Sequence, residues 1–169
     1  GEMSKTVQVQ ITDDASIEQL EHFRFNLNTP TNSVIAHNET MVSIVDNDRI
    51  VDAPEISVRD VIVDEKAGTA SFVVVLGGPH GEASNNAVTV NYATQGLASG
   101  ASSGTDFAAT DGTLTFAAGE TVKTVVVNLA DDALAEGVER FNLNLGGATG
   151  GAAIRDGSGV ATIGANDAG

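Results

Sequence analysis

The sequence predicts an all-β protein built as an antiparallel sandwich, and three observations predict it. Glycine is frequent at 19 residues, aromatics make up only 4%, and 41% of residues are hydrophobic. That composition fits short strands and many turns around a buried core. Apolar and polar residues alternate with period two in several short runs, as half-buried strands require. The third observation is an internal repeat: GEMSKTVQVQITDDASIEQLEHFRFNLN (1–28) aligns without a gap to GETVKTVVVNLADDALAEGVERFNLNLG (119–146), with 14 of 28 positions identical.

The repeat sets the domain organisation. MVSIVDND (41–48) matches VATIGAND (160–167) after a one-residue insertion, so the repeat extends through both segments. Residues 1–48 therefore read as the C-terminal half of one repeat, 49–54 as a linker, and 55–169 as a complete repeat. Three strands cannot bury a core by themselves, so the expected setting is a longer tandem array.

In the first copy, Val7, Val9 and Ile11 alternate with Gln8 and Gln10 and predict a core-facing strand. Phe23, Phe25 and Leu27 alternate with His22, Arg24 and Asn26 and predict another. In the complete copy, strands are predicted over Glu55–Val63, Thr69–Leu76, Ala87–Ala93, Thr113–Ala117 and Ser158–Ala165. Two more run through Val125, Val127 and Leu129, and through Phe141, Leu143 and Leu145. Seven alternating strands in about 115 residues describe an immunoglobulin-like β-sandwich. Phe107, Phe116 and Phe141 are expected in its core, and Asp111-Gly112 at a turn. The best helical segments, Ala15–Leu20 and Ala133–Val138, are too short for more than one turn.

Charge narrows the function. The formal net charge is −15, with eight basic residues scattered along the chain, which excludes the clustered positive face that nucleic acid requires. Cysteine is absent, so there is no disulfide framework and no thiol chemistry. No run approaches the roughly 20 apolar residues of a membrane helix, so direct membrane insertion is not expected. The first ten residues lack the apolar core of a signal peptide.

The acidic residues are grouped. Asp131, Asp132, Glu136 and Glu139 fall within nine residues, and Asp13, Asp14, Glu18 and Glu21 repeat the pattern. In each copy a core strand ends at the Asp-Asp pair and the next begins at the second Glu, so the carboxylates collect at one end of the sandwich. Two unit charges ~4 Å apart repel by ~1 kcal/mol in water and by more where partly buried. A cation would relieve this, and a set of hard oxygen donors suits Ca2+ better than Mg2+. Zinc is disfavoured, because there is no cysteine and His22, His37 and His80 are not at ligand spacing. DNDRIVDAPE starts like an EF-hand loop but lacks its third acidic position and its glycine, so a calcium site must be assembled from several loops. The competing reading is that these carboxylates are solvated or cap local turns.

An enzyme is not expected. No G-x-S-x-G occurs, and clustered exposed carboxylates do not provide the two different environments a glycosidase needs. With no Trp and one Tyr, a stacking platform for carbohydrate is also missing.

The run GTDFAATDGTLTFAAGETVKTVVVNLADDALAEGVERFNLNL, followed by a terminal AND or DND, resembles the Calx-beta motif. That motif occurs in regulatory domains of sodium/calcium exchangers, in integrin β4 and in large bacterial surface proteins. The resemblance covers 55–167, and its C-terminal half again in 1–48. It implies a seven-stranded antiparallel sandwich with Ca2+ between loops at one end. By motif it implies ligands at Glu65, Asp106, Asp131, Asp132, Glu136, Glu139 and Asp167. In the partial copy the matching residues are Asp13, Asp14, Glu18, Glu21, Asp46 and Asp48. Ala165 stands where the first copy has Asp46, and the partial copy has no counterparts of Glu65 and Asp106. The expected role is a Ca2+-binding structural repeat of a large surface or secreted, adhesin-like bacterial protein. Its partners would be neighbouring repeats, with self-association possible through residues 1–48. The alternative is a Ca2+-sensing domain attached to a membrane transporter.

Overall fold

The computed structural model describes residues 5–16, 18, 20–35, 37–44, 50–51, 53–78, 82–98, 100–131 and 137–164. Its strands are β1 (Glu21–Asn26), β2 (Glu39–Ile44), β3 (Ile50–Val51), β4 (Glu55–Val58), β5 (Val61–Asp64), β6 (Thr69–Gly77), β7 (Ala83–Ser84), β8 (Val88–Gly96), β9 (Asp111–Phe116), β10 (Val122–Asn128), β11 (Glu139–Gly146), β12 (Ala153–Asp156) and β13 (Ser158–Gly164). A single 3-10 turn, Glu65–Ala67, follows β5, and there is no α-helix among the described residues.

Residues 55–164 form a two-layer sandwich. One sheet has the order β10-β6-β4-β12 and the other β5-β13-β11-β8-β9. Alternation decides which side chains enter the core: Phe72, Val74 and Leu76 from β6 meet Phe141 and Leu143 from β11, and all five are fully buried. Phe107 and Phe116 join them as expected. Burying such side chains contributes roughly 1.5–3 kcal/mol each.

The predicted strand Glu55–Val63 is divided. β4 pairs antiparallel with β6 in one sheet, whereas β5 pairs parallel with β13 in the other. The break at Arg59-Asp60 lets one segment serve both layers, and it is held by Arg59 N–H donating to the Val73 carbonyl (2.9 Å) and Val160 N–H donating to Asp60 Oδ1 (2.8 Å). β12 also runs parallel to β4. The other pairings within the sandwich are antiparallel.

Two expectations need correction. Asp111-Gly112 is not a turn but the start of β9, paired with Tyr92 and Ala93 of β8. A side chain at Gly112 would put Cβ 2.8 Å from Tyr92 Oη, so the glycine makes room for a cross-strand ring. Val7, Val9 and Ile11 are neither in a strand nor facing a core; they are 61%, 51% and 51% exposed. Their counterparts Val125 and Val127 lie in β10, which is hydrogen-bonded to β6. Among the described residues no strand pairs with 7–11 as β6 pairs with β10.

β1 and β2 form an antiparallel hairpin. Glu21 opposes Ile44 and Phe23 opposes Val42, while Glu139 opposes Ile163 and Phe141 opposes Ala161 in the pair β11–β13. The register of β11–β13 is therefore reproduced in β1–β2. Even the closing bond recurs: Leu27 N–H donates to the Asn38 carbonyl (2.8 Å) as Leu145 N–H donates to Gly157 (2.7 Å). Within the predicted linker, β3 pairs parallel with β7, and the Pro54 carbonyl accepts from Ala153 N–H.

Candidate metal site at one end of the sandwich

Four segments meet at one end of the sandwich because the backbone ties them there. The end of β10 reaches the 3-10 turn, where Leu129 N–H donates to the Gly68 carbonyl (2.9 Å). Leu129 also bridges Phe107, and Ala130 N–H donates to the Asp106 carbonyl (3.0 Å). Ala101 N–H donates to the Arg140 carbonyl (3.0 Å) at the start of β11. Finally, Glu139 opposes Ile163 and Asp64 opposes Gly164, so β11, β13 and β5 finish at the same level.

This scaffold collects carboxylates with little exposure. Asp64 is 4% exposed, Glu65 6% and Asp106 9%. Glu139 is half-buried with its Oε2 shielded from solvent. Burying ionised carboxylates is costly unless hydrogen bonds or cations compensate. Part of that compensation is visible. Asp64 Oδ1 caps the 3-10 turn by accepting from Lys66 N–H (2.8 Å). Asp106 Oδ2 accepts from Ser102 N–H, while Asp106 N–H donates back to the Ser102 carbonyl (3.1 Å). Asp106 is thus fixed from both sides, and its position is set by the backbone of 101–107.

Of the predicted ligands, Glu65, Asp106, Asp131 and Glu139 come to this end, with Asp131 exposed at its margin. Asp132, Glu136 and Asp167 lie outside the described residues, as do Asp46 and Asp48. In the partial copy, Asp13 and Asp14 are exposed, and Asp14 Oδ1 accepts from Ser16 N–H (2.7 Å) in a local turn. Glu18 is exposed and Glu21 begins β1. Among the described residues no three Asp, Glu or His side chains stand close enough to hold a metal ion together. The donor set nevertheless fits a hard cation in kind: carboxylate oxygens, with no cysteine in the chain to compete.

Asp64 was not among the residues singled out in the sequence. The signal was there in VDEKAG, an Asp one residue before a short turn that ends at a glycine, which is the pattern of a capping residue. His22, by contrast, is exposed as expected, its Nδ1 2.9 Å from Ser43 Oγ.

The family model described as the Calx-beta domain matches residues 1–48 and 51–169. None of the curated proteins searched matches the chain. Among solved structures, the apo-form Calx CBD1 domain is 24% identical with a TM-score of 0.60, over 68% of this chain and 98% of that one. CBD12 from CALX1.2 is 25% identical with a TM-score of 0.58, over 64% of this chain and 44% of that one. The calcium binding domain CBD12 of CALX1.1 is 25% identical with a TM-score of 0.59, over 66% of this chain and 46% of that one. The chain thus spans less than half the length of the two CBD12 structures.

Proposed function

The chain belongs to the Calx-beta family, and from that premise we propose that it is a Ca2+-binding structural repeat. The observation that carries this reading is that backbone hydrogen bonds bring the segments bearing Glu65, Asp106 and Glu139 to one sandwich end, where Glu65 and Asp106 have little exposure. Carboxylates with little solvent are stabilised by hydrogen bonds and by positive charge, and a cation would also offset part of the strong acidity of the chain as a whole. Similarity to a domain described as calcium binding supports the choice of ion.

In this reading Glu65, Asp106, Asp131, Asp132, Glu136, Glu139 and Asp167 supply the oxygens. Ca2+ accepts such a mixed and flexible set. Asp106 is held in place by Ser102 N–H, and Asp64 fixes the turn that presents Glu65. The first copy contributes Asp13, Asp14, Glu18, Glu21, Asp46 and Asp48, a set without counterparts of Glu65 and Asp106. Residues 1–48 are read as the second half of a repeat and 49–54 as the junction. Because β3 within that junction pairs with β7, ions bound beside Asp46 and Asp48 would stiffen the connection between repeats. A surface or secreted protein built of such repeats is the setting this role fits.

Isothermal calorimetry tests the proposal. Ca2+ should bind with heat that is lost in a chain carrying Asp132→Asn and Glu136→Gln; an unchanged titration would overturn it. The affinity also separates this role from a sensor attached to a transporter. Structural extracellular modules bind near 10⁻⁴–10⁻³ M and sensors near 10⁻⁷–10⁻⁵ M, as orders of magnitude.

A further inference from the structure

β10 stands at the edge of its sheet, and among the described residues β6 is its one hydrogen-bonded neighbour strand. Along an antiparallel strand the backbone groups of successive residues point to alternate sides. The Thr121 carbonyl accepts from Leu76 N–H (2.7 Å) and Leu129 N–H donates to the Gly68 carbonyl (2.9 Å), so the odd-numbered residues address the sheet. The even-numbered residues address the open edge. At its two ends that edge is already engaged: Glu120 N–H donates to the Ala117 carbonyl (3.0 Å), and the Asn128 carbonyl accepts from Ala108 N–H (2.9 Å). Between these ends, Val122, Thr124 and Val126 present N–H and carbonyl groups to which no strand among the described residues is paired.

The side chains of the same three residues lie on the outer face of the sheet, because the alternating positions Val125 and Val127 are buried in the core. The register sets Val75, Val73 and Ser71 of β6 beside them. Val122, Val126 and Val73 are exposed. None of the 23 acidic residues falls in this patch, in contrast to the carboxylate-bearing end of the sandwich. The nearest charge is Lys123, on the inner side of the same edge. An inward lysine discourages pairing at an edge, but its Nζ is held 2.8 Å from Glu120 Oε2, so the two charges offset each other.

We propose that this edge is an interface between two copies of the chain, formed by antiparallel pairing of β10 with β10 of the second copy. Symmetry and charge select this occupant. Val122, Thr124 and Val126 read the same in both directions, so a two-fold axis at Thr124 sets Val122 opposite Val126 of the second copy and Thr124 opposite its own equivalent. Each such pair exchanges two N–H···O bonds, which satisfies every edge-facing group between Glu120 and Asn128. A register shifted by two residues would bring Glu120 or Asn128 into the ladder, where their edge-facing groups are already engaged. The two-fold arrangement is closed, and it merges the valines of both outer faces into one apolar strip. Two copies of charge −15 repel each other, and this patch lets them meet without opposing carboxylates. The inference rests neither on metal binding nor on the reading of residues 1–48.

Sedimentation equilibrium of the full chain in chelator tests it. The chain should associate to a dimer and no further. Val122→Lys with Val126→Lys sets lysines directly opposite one another and should raise the dimer dissociation constant at least about tenfold. Val122→Glu with Val126→Glu should do the same. An equimolar mixture of the two variants should recover dimers, because each lysine then faces a glutamate. Thr124→Cys tests the axis without changing charge. Residues directly opposite in a hydrogen-bonded pair have Cα atoms about 5.5 Å apart, within disulfide reach, so oxidation should give a covalent dimer. Ser71→Cys, exposed on the same face, would be at least about 14 Å from its equivalent across three strand spacings and should not cross-link. A chain that stays monomeric at millimolar concentration would overturn the proposal, as would polymers beyond the dimer. So would a dimer indifferent to both charged variants, or equal cross-linking at the two cysteines, since the contact would then lie elsewhere.

Discussion

Phe107 stacks on Phe141, with ring centroids 4.1 Å apart and planes at 13°. Phe107 follows Asp106 in the loop and bridges Leu129, two residues before Asp131. Phe141 lies two residues after Glu139 on β11. The stack therefore joins the core to three carboxylates of the candidate site.

Phe141→Ala should destabilise the chain by about 3–5 kcal/mol, the usual effect of removing a buried ring. Combined with Phe107→Ala in a double-mutant cycle, it should show coupling of about 0.5–1.5 kcal/mol beyond area loss. Denaturant unfolding measures both; additive losses would show that the stack contributes only burial.

Ca2+ at about 100 times its dissociation constant should add about 2.7 kcal/mol, a rise of roughly 5–10 °C in the unfolding midpoint for a chain of this size. Mg2+ at the same concentration should add much less, because it demands a strict octahedron. A calorimetric scan in each ion and in chelator decides it.

Asp106→Asn keeps an acceptor for Ser102 N–H but removes a charge from the sandwich end. In chelator the midpoint should hold or rise, since repulsion is relieved. In Ca2+ the stabilisation should fall. Opposite signs in the two conditions separate a ligand from a purely structural aspartate, which would lower the midpoint in both.

Glu120 has its carboxyl held below the usual carboxylate range, chiefly by the hydrogen bond from Lys123 Nζ (2.9 Å) and also by Ala117 N–H (2.7 Å). A folded-state value below the unfolded one means that its contribution is present above the ordinary glutamate range and is lost as pH falls through the folded value. The group is exposed, so the effect on stability is small. A carboxyl NMR titration should show the depressed midpoint, and Lys123→Met should move it back up.

Gly159→Ala should destabilise by about 1–3 kcal/mol, because the added methyl meets the Arg59 backbone and the Val58 side chain. Thr40→Ala, at the matching but exposed position of the hairpin, should change stability by no more than about 0.5 kcal/mol. Thermal or denaturant unfolding of both variants compares the same position with and without an opposing sheet.

What the sequence determined by itself was whatever is local or repeated. Period-two alternation located the core strands from Thr69 to Ile163, and the repeat placed Glu21 and Glu139 at matching strand starts. Side-chain direction in a strand follows from the backbone alone, so Phe23 and Phe141 face the same way in both copies. Tertiary structure decided everything that depends on a partner. Val7, Val9 and Ile11 have the alternation of a core strand but stay exposed, because strands are stabilised by their neighbours and among the described residues no strand pairs with them. The division of 55–64 between two sheets, and its parallel pairing with β13, depend on which layer each half meets. The low exposure of Asp64 and Asp106 likewise arises only once the ends of β5, β10 and β11 are brought to one level, since burial is a property of the assembled sandwich and no single segment carries it.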